Sequence, residues 1–190
     1  MNGPDPALVR QKLMKWDGYL RDFSLPAWEE LPQLELYMDQ VVSLINSYLA
    51  YLPKEEGTNL VVTKAAVNNY VRKRIMPPPV KKRYGRVHLA YLILICDLKQ
   101  CFSIADVQRL LPPDLEETQV RRIYDRYVLR HRETALLFVR TVRERTGDFF
   151  AEAPAGEQEV EDLLISSAVA AGLSKLLTEK LLGLPCRKSE

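Results

Sequence analysis

Eight lysines and arginines lie between Gly57 and Cys96, and this stretch of the chain contains no Asp or Glu. The whole chain carries a formal net charge of +2, so the residues outside the stretch carry a net charge of −6. Positive charge concentrated in this way is typical of a surface that binds nucleic-acid phosphates. A merely solvated surface is the alternative, and the absence of acids over the whole stretch argues against it. The basic residues are Lys64, Arg72, Lys73, Arg74, Lys81, Lys82, Arg83 and Arg86.

The first of these residues lie on a predicted helix. Thr63 is suited to cap its N-terminus, and the spacing predicts a helix from Lys64 to about Lys73. One stripe of this helix is apolar (Ala66, Val67, Tyr70, Val71), whereas Lys64, Asn68 and Arg72 recur every four residues on another. The carboxamides of Asn68 and Asn69 are of the type that pairs with adenine edges, so we expect this face to enter a major groove.

Three consecutive prolines, Pro77–Pro79, must end that helix and hold the backbone extended. We therefore predict an exposed loop or narrow hairpin between Arg74 and Arg86. A basic helix followed by a cationic hairpin has the parts of a winged helix-turn-helix, in which the hairpin contacts the DNA backbone. The predicted DNA-binding residues are Lys64, Asn68, Asn69, Arg72, Lys73, Lys81, Lys82, Arg83 and Arg86.

Three segments carry a family resemblance: residues 67–78 (VNNYVRKRIMPP), 83–95 (RYGRVHLAYLILI) and 101–107 (CFSIADV). Together they resemble the DNA-binding domain of MerR-type transcriptional regulators. The resemblance implies that Tyr84 lies with Arg83 on the wing and adds it to the predicted DNA-binding residues. With residues 25–28 and 37–39 added, the chain is also similar to a bacterial family known only as a domain of unknown function with a MerR-like core. The chain departs from the MerR pattern at Asn68 and Asn69, where Arg and Tyr are usual, and at Arg74 and Cys101, where Gly is usual.

The spacing of apolar residues predicts an all-α fold, and the resemblance implies a MerR-like winged helix-turn-helix with a small β wing and flanking helices. Besides the basic helix, we expect helices at residues 7–20, 34–52, from about Arg86, from Ser103, at 115–145 and at 160–182, with a linker at 146–158. The predicted domains are an N-terminal segment (1–25), a winged helix-turn-helix domain (26–113) and a helical C-terminal region (114–190). By resemblance, the helix at 115–145 pairs two copies into a homodimer, and the C-terminal region responds to an unidentified small-molecule or protein effector.

Other classes of protein lack support in the sequence. There is no Gly-rich phosphate loop, nucleophile elbow or H-E-x-x-H motif, so we do not expect an enzyme. The three cysteines form no zinc-type pair, and we predict neither a metal nor a cofactor; Cys96 and Cys101 fit buried apolar positions. The longest apolar run, Leu89–Cys96, is too short to span a bilayer, and we expect a cytoplasmic protein.

The alternative to a DNA-binding regulator is a non-catalytic protein-interaction module on a winged-helix scaffold, with the helices at 39–52 and 160–182 as docking surfaces.

Overall fold

The computed structural model describes residues 4–147 and 156–185. Within these residues the protein has seven α-helices, a short 3-10 helix at Trp28–Glu30 and no β-strand, which confirms the all-α prediction. The α-helices are α1 (Pro6–Asp22), α2 (Met38–Tyr48), α3 (Lys64–Arg72), α4 (Arg86–Leu98), α5 (Ile104–Leu110), α6 (Glu117–Arg145) and α7 (Glu157–Leu182).

The chain forms two compact units. One comprises Leu25–Val128 with Leu182–Glu190, and it contains α2 to α5 and the first part of α6. The other comprises Met1–Ser24 with Leu129–Leu181, and it contains α1, the rest of α6 and nearly all of α7. The predicted DNA-binding residues all belong to the first unit, which we call the central unit; we call the other the terminal unit.

Helix α4 forms the centre of the central unit. Every residue from His88 to Cys96 is buried, as expected for a helix that is apolar on all sides. The surrounding elements each turn buried side chains inward: Trp28, Val41, Ile45, Val67, Tyr70, Val107, Val120 and Tyr124. The basic helix α3 is therefore held by Val67 and Tyr70, and its remaining faces are left for solvent.

Tyrosine hydroxyls attach the first part of α6 to this unit. Tyr124 donates a hydrogen bond of 2.8 Å to the carbonyl of Pro26, and Tyr127 donates one of 2.6 Å to the carboxylate of Asp97, which also accepts from Tyr51 at 2.9 Å. Burial raises the pKa of both Tyr124 and Tyr127, so both hydroxyls stay protonated and remain donors at neutral pH.

The terminal unit is held by an ion pair and an aromatic contact. Arg143 donates two hydrogen bonds of 2.6 Å to the buried carboxylate of Asp17, and hydrogen bonding from Arg143 lowers the pKa of that carboxyl. The ring of Trp16 meets that of Phe138 edge-on at 5.3 Å. Helix α7 is attached at its start, where Val160 packs against α1.

Several sequence-based predictions need correction. The β wing is absent from the described residues: Val80 and Arg83 form an isolated bridge, because the adjacent prolines have no N–H to extend the pairing. The helix predicted at 34–52 is shorter in the structure, where α2 covers only Met38–Tyr48. Tyr37 is its N-terminal cap residue and Leu49 its C-terminal cap residue. Cys96 is buried, and burial raises its pKa to about 12, but Cys101 is exposed.

Two predicted features lie wholly or partly outside the described residues. The first is the third cysteine, Cys186. The second is most of the linker predicted at 146–158, which ends earlier than predicted because α7 already begins at Glu157. Among the helices that the structure describes, none combines the length and the apolar character needed to cross a bilayer.

Candidate nucleic-acid interface

Helix α3 begins as the sequence predicts. The Thr63 hydroxyl accepts a hydrogen bond of 3.1 Å from the amide of Ala66, which satisfies a free N–H at the helix start. The preceding segment is tied to α2 by Asn46, whose amide donates to the carbonyl of Val62 at 2.9 Å. With Val67 buried below, Asn68 lies exposed on the outer face of the helix.

The end of α3 turns sharply through a left-handed residue. Ile75 N–H donates to the carbonyl of Tyr70 at 2.8 Å and Arg74 N–H donates to that of Val71 at 3.0 Å, which together form a Schellman motif. Arg74 has a φ of 54°, a conformation that favours glycine. Its carbonyl accepts a hydrogen bond of 3.0 Å from Gln108 on α5. The turn therefore forms even though arginine occupies the position where the MerR pattern has glycine.

The cationic loop is a tight two-residue hairpin. Val80 and Arg83 exchange both backbone hydrogen bonds, at 3.1 and 2.9 Å, and Lys81 and Lys82 occupy the turn with φ of 48° and 63°. Positive φ at both central residues is the signature of a type I′ turn, which is rigid and usually built from Asn and Gly. Both lysines are exposed. Of the exposed loop or narrow hairpin predicted between Arg74 and Arg86, the structure forms a two-residue hairpin turn whose pairing is too short to form strands.

His88 fixes the proline-rich arm that leads into this hairpin. Its Nδ1 accepts a hydrogen bond of 3.0 Å from the amide of Gly85, so the proton lies on Nε2, which faces the carbonyl of Pro78 at 3.1 Å. Both ring nitrogens are occupied within the fold. His88 therefore positions the hairpin and caps α4.

The first turn of α2 contacts both basic elements. Asp39 forms an ion pair with Lys64 at the start of α3. Two residues earlier, the Tyr37 hydroxyl accepts a hydrogen bond of 2.8 Å from Arg83, whose guanidinium lies 4.4 Å above the Tyr37 ring. These contacts place the start of α3 and the hairpin beside the same turn of α2, so the two elements form neighbouring parts of one surface.

Two of the predicted DNA-binding residues, Arg86 and Tyr84, make contacts with other residues of the central unit. Arg86 donates two hydrogen bonds, of 3.1 and 3.0 Å, to the carbonyl of Leu31, and its guanidinium lies 5.7 Å from the Trp28 ring. Tyr84 is only 3% exposed, because it packs edge-on against His88. Arg86 and Tyr84 therefore both make contacts within the fold, and their part in DNA binding stays a prediction.

Five exposed cations remain, and we call them the basic cluster: Arg72, Lys73, Arg74, Lys81 and Lys82. None of them forms an ion pair with a carboxylate in the part of the chain that the structure describes. Asn69 orients one of them, since its side-chain oxygen accepts a hydrogen bond of 2.9 Å from Arg72. No carboxylate of the described residues pairs with these five cations, and the same holds for Arg83 and Arg86, whose bonds go to a neutral hydroxyl and a neutral carbonyl.

The basic cluster also concentrates the backbone strain. In the described residues, positive φ outside glycine occurs at Arg74, Lys81 and Lys82, and all three belong to the cluster. A left-handed conformation costs a residue with a side chain about 1 kcal/mol relative to glycine. Strained residues concentrate at functional sites. Glycine or asparagine would suit each turn better, but neither would supply a cation.

Sequence reasoning missed Asn46, Tyr37 and Gln108, which hold the site together. Each is an unremarkable polar or aromatic residue distant along the chain from the group that it contacts, so only the tertiary structure reveals the contact. The charge pattern did identify the basic cluster.

The architecture defines an all-helical protein whose central unit displays an exposed basic helix end and a rigid cationic turn. A family model described as Domain of unknown function (DUF1836) matches residues 26–127, more than half of the chain. The chain belongs to this family. No comparison indicates a MerR-type core, and neither the curated proteins nor the solved structures contain a match. The described residues include no group of His, Cys, Asp or Glu that could hold a metal ion.

Proposed function

We propose that the central unit is a DNA-binding module of a cytoplasmic transcriptional regulator. It acts as a compact winged helix-turn-helix, with α3 in the major groove and the Val80–Arg83 hairpin on the neighbouring backbone. The observation that carries this proposal is the basic cluster: five exposed cations without an ion pair, three at the end of α3 and two in the rigid turn that follows it along the chain. Such a constellation suits the regularly spaced phosphates of duplex DNA.

The residues have distinct roles in this proposal. Asn68 is exposed on α3 and reads a base edge, with adenine as its best match. Lys81 and Lys82 contact phosphates, which adds affinity and salt dependence but little sequence preference. Asn69 orients Arg72 toward the backbone. The wing of this module is the type I′ turn itself, and the Leu36–Tyr84 bridge attaches the adjoining chain to the segment before α2.

The resemblance to MerR-type proteins supports a further part of the proposal, that two copies bind a pseudo-palindromic site. Two recognition helices then occupy successive major grooves, and the symmetry of the protein matches that of the operator. An unidentified small-molecule or protein effector would act on the helices outside the central unit.

Binding to a labelled pool of genomic duplex DNA tests the proposal. We expect the full chain to bind at moderate salt, and the Lys73→Gln/Lys81→Gln/Lys82→Gln variant to lose at least about 100-fold in affinity, because three phosphate contacts disappear. A matched variant, Arg109→Gln/Arg122→Gln/Arg126→Gln, removes the same charge from exposed positions of the same unit outside the basic cluster. That control should retain most of the affinity. An equal loss in both variants would mean that only net charge matters, and it would contradict a defined interface.

The exposed apolar side chains of α7 favour the alternative, a non-catalytic protein-interaction module. In that case the basic cluster would meet an acidic protein partner. Absence of duplex binding at low salt, together with stable co-purification of a partner whose binding is lost in the triple lysine variant, would support this second function over the first.

A further inference from the structure

We propose that α7 is a self-association surface on which two copies of this chain pair in antiparallel orientation. The proposal specifies the dimer that the proposed function invokes, but its argument and its test use no DNA. It is drawn from the exposure, the spacing and the charge of the side chains along the helix.

Helix α7 leaves most of its apolar surface uncovered. Val160 is its buried residue, and no side chain from Leu164 to Leu181 is buried within the chain. The large apolar side chains in this part are 48 to 63% exposed: Leu164, Ile165, Val169, Leu173, Leu176, Leu177 and Leu181. The helix also contains no charged residue from Leu163 to Ser174. An apolar surface of this extent on a regular helix is typical of a protein interface.

The residues along one side of α7 follow a heptad pattern. Steps of four and three residues connect the six positions of this side, which we call the α7 seam: Asp162, Ser166, Val169, Leu173, Leu176 and Lys180. Alternating steps of three and four keep side chains on one narrow face, as in a two-stranded coiled coil. Ile165 and Leu177 flank the seam and widen its apolar part.

The α7 seam is symmetric about Ala171. Val169 and Leu173 are equally distant from this midpoint, as are Ser166 and Leu176, and as are Asp162 and Lys180. When a second α7 is laid antiparallel with the midpoints together, each member of a pair faces the other member on the partner. Val169 and Leu173 then meet at the centre, and Ser166 faces Leu176 on either side of them. At each end, Asp162 of one copy lies opposite Lys180 of the other.

Charge selects this orientation over the parallel one. The N-terminal end of α7 carries Glu157, Glu159, Glu161 and Asp162, whereas the C-terminal end carries Lys175 and Lys180 with Glu179. A parallel pair would bring eight carboxylates together at one end. An antiparallel pair brings each acidic end to a basic end. Asp162 and Ser166 also line an open cleft of about 380 Å³, whose other lining residues are Arg145, Glu159 and Leu163.

Helix α6, the dimer helix implied by the MerR resemblance, is less suited to this role. Part of its apolar surface is used within the chain: Val120, Tyr124 and Val139 are buried, and Phe138 packs against Trp16, whereas Leu129, Leu136 and Leu137 are exposed. The exposed positions between Leu129 and Arg145 are interrupted by seven charged residues. In α7 the apolar surface is continuous, and among the described residues it stays exposed from Leu164 to Leu181.

Sedimentation equilibrium of the full chain, without DNA, tests the seam. We expect a dimer, and we expect Leu173→Glu to weaken its association at least about 100-fold, because a carboxylate would face an apolar partner. Ala168→Glu introduces the same charge at an exposed position on another side of α7 and should leave the association unchanged. Circular dichroism establishes that both variants keep their helix content. A monomeric native chain, or equal effects of the two variants, would overturn the proposal.

A charge-exchange series tests the orientation. Asp162→Lys and Lys180→Glu should each weaken the dimer by roughly threefold to tenfold, because each places like charges opposite one another at both ends. The double variant restores opposite charges in the antiparallel pair and should recover the native association. A double variant that associates no better than the single variants would overturn the antiparallel arrangement. Loss of DNA binding with an intact dimer would count against the proposed function alone.

Discussion

The hairpin turn of the basic cluster offers a substitution that should raise stability while it lowers DNA affinity. Lys81→Asn/Lys82→Gly replaces the two left-handed residues by the dipeptide that type I′ turns favour most. Both lysines have positive φ, of 48° and 63°, and both are exposed, so the change removes no buried contact. The substitution therefore separates backbone conformation from charge.

The two effects have predictable sizes. Relief of the left-handed conformation contributes about 1 kcal/mol at Lys82 and a fraction of that at Lys81, because asparagine tolerates positive φ but glycine accepts it freely. At about 2–4 °C per kcal/mol for a chain of this size, the melting temperature should rise by roughly 2–6 °C. If both lysines contact phosphates, their loss reduces the slope of log K against log salt by about 1.8.

Thermal unfolding followed by circular dichroism measures the change in melting temperature. Fluorescence anisotropy with a labelled duplex at several salt concentrations measures the slope of log K against log salt. Lys81→Ala/Lys82→Ala is the matched control: it removes the same charges but keeps a strained turn, so the salt slope should fall equally without a gain in stability. A lower melting temperature for the Asn-Gly variant would refute the assigned turn. An unchanged salt slope in both variants would refute the contact of the hairpin with DNA.

Three further outcomes follow from individual contacts. Asp39→Asn releases Lys64 from its ion pair, so affinity for duplex DNA should rise and the salt slope should steepen by about 0.9; unchanged binding would mean that Lys64 makes no phosphate contact. Hydrogen bonding from Arg143 lowers the pKa of Asp17, so the carboxylate stabilises the fold above its unfolded pKa of 3.8, and this stability is lost as pH falls through the lowered value. Asp17→Asn should therefore lower the melting temperature at pH 7 much more than at pH 2, whereas an equal loss at both would contradict the assignment. Tyr124→Phe removes the hydrogen bond to the carbonyl of Pro26 and should cost about 1 kcal/mol in chemical denaturation; a neutral result would show that this bond adds no net stability.

The elements of this fold were largely predictable because their signals are local. Thr63 caps α3 within a single turn of helix, so the start of α3 can be derived from neighbouring residues. Its end was predicted from Pro77–Pro79, but the helix already ends at Arg72 in the Schellman motif around Arg74. The hairpin was also predictable, but its lack of strands was not. Strand formation depends on how many N–H groups find partners, and the prolines leave only the Val80–Arg83 pair beside the turn.

The candidate site was predictable in part, since net charge is readable from the sequence but its compensation is not. Arg86 and Lys64 add to the charge count, yet the fold directs Arg86 to the carbonyl of Leu31 and pairs Lys64 with Asp39. Both contacts join residues far apart in the chain. Conversely, the left-handed conformation of Arg74 contradicts local preference, and the tertiary contact from Gln108 accompanies it. Departures of this kind from local preference are expected at functional sites.

The salt dependence of duplex binding by the full chain tests the central claim most directly. The claim is that the basic cluster neutralises DNA phosphates. With five unpaired cations in contact, a plot of log K against log salt should have a slope of about −4.5 per copy of the chain. The Lys73→Gln/Lys81→Gln/Lys82→Gln variant should reduce that slope to about −1.8. No binding at low salt, or the same slope in the native chain and the variant, would contradict the claim.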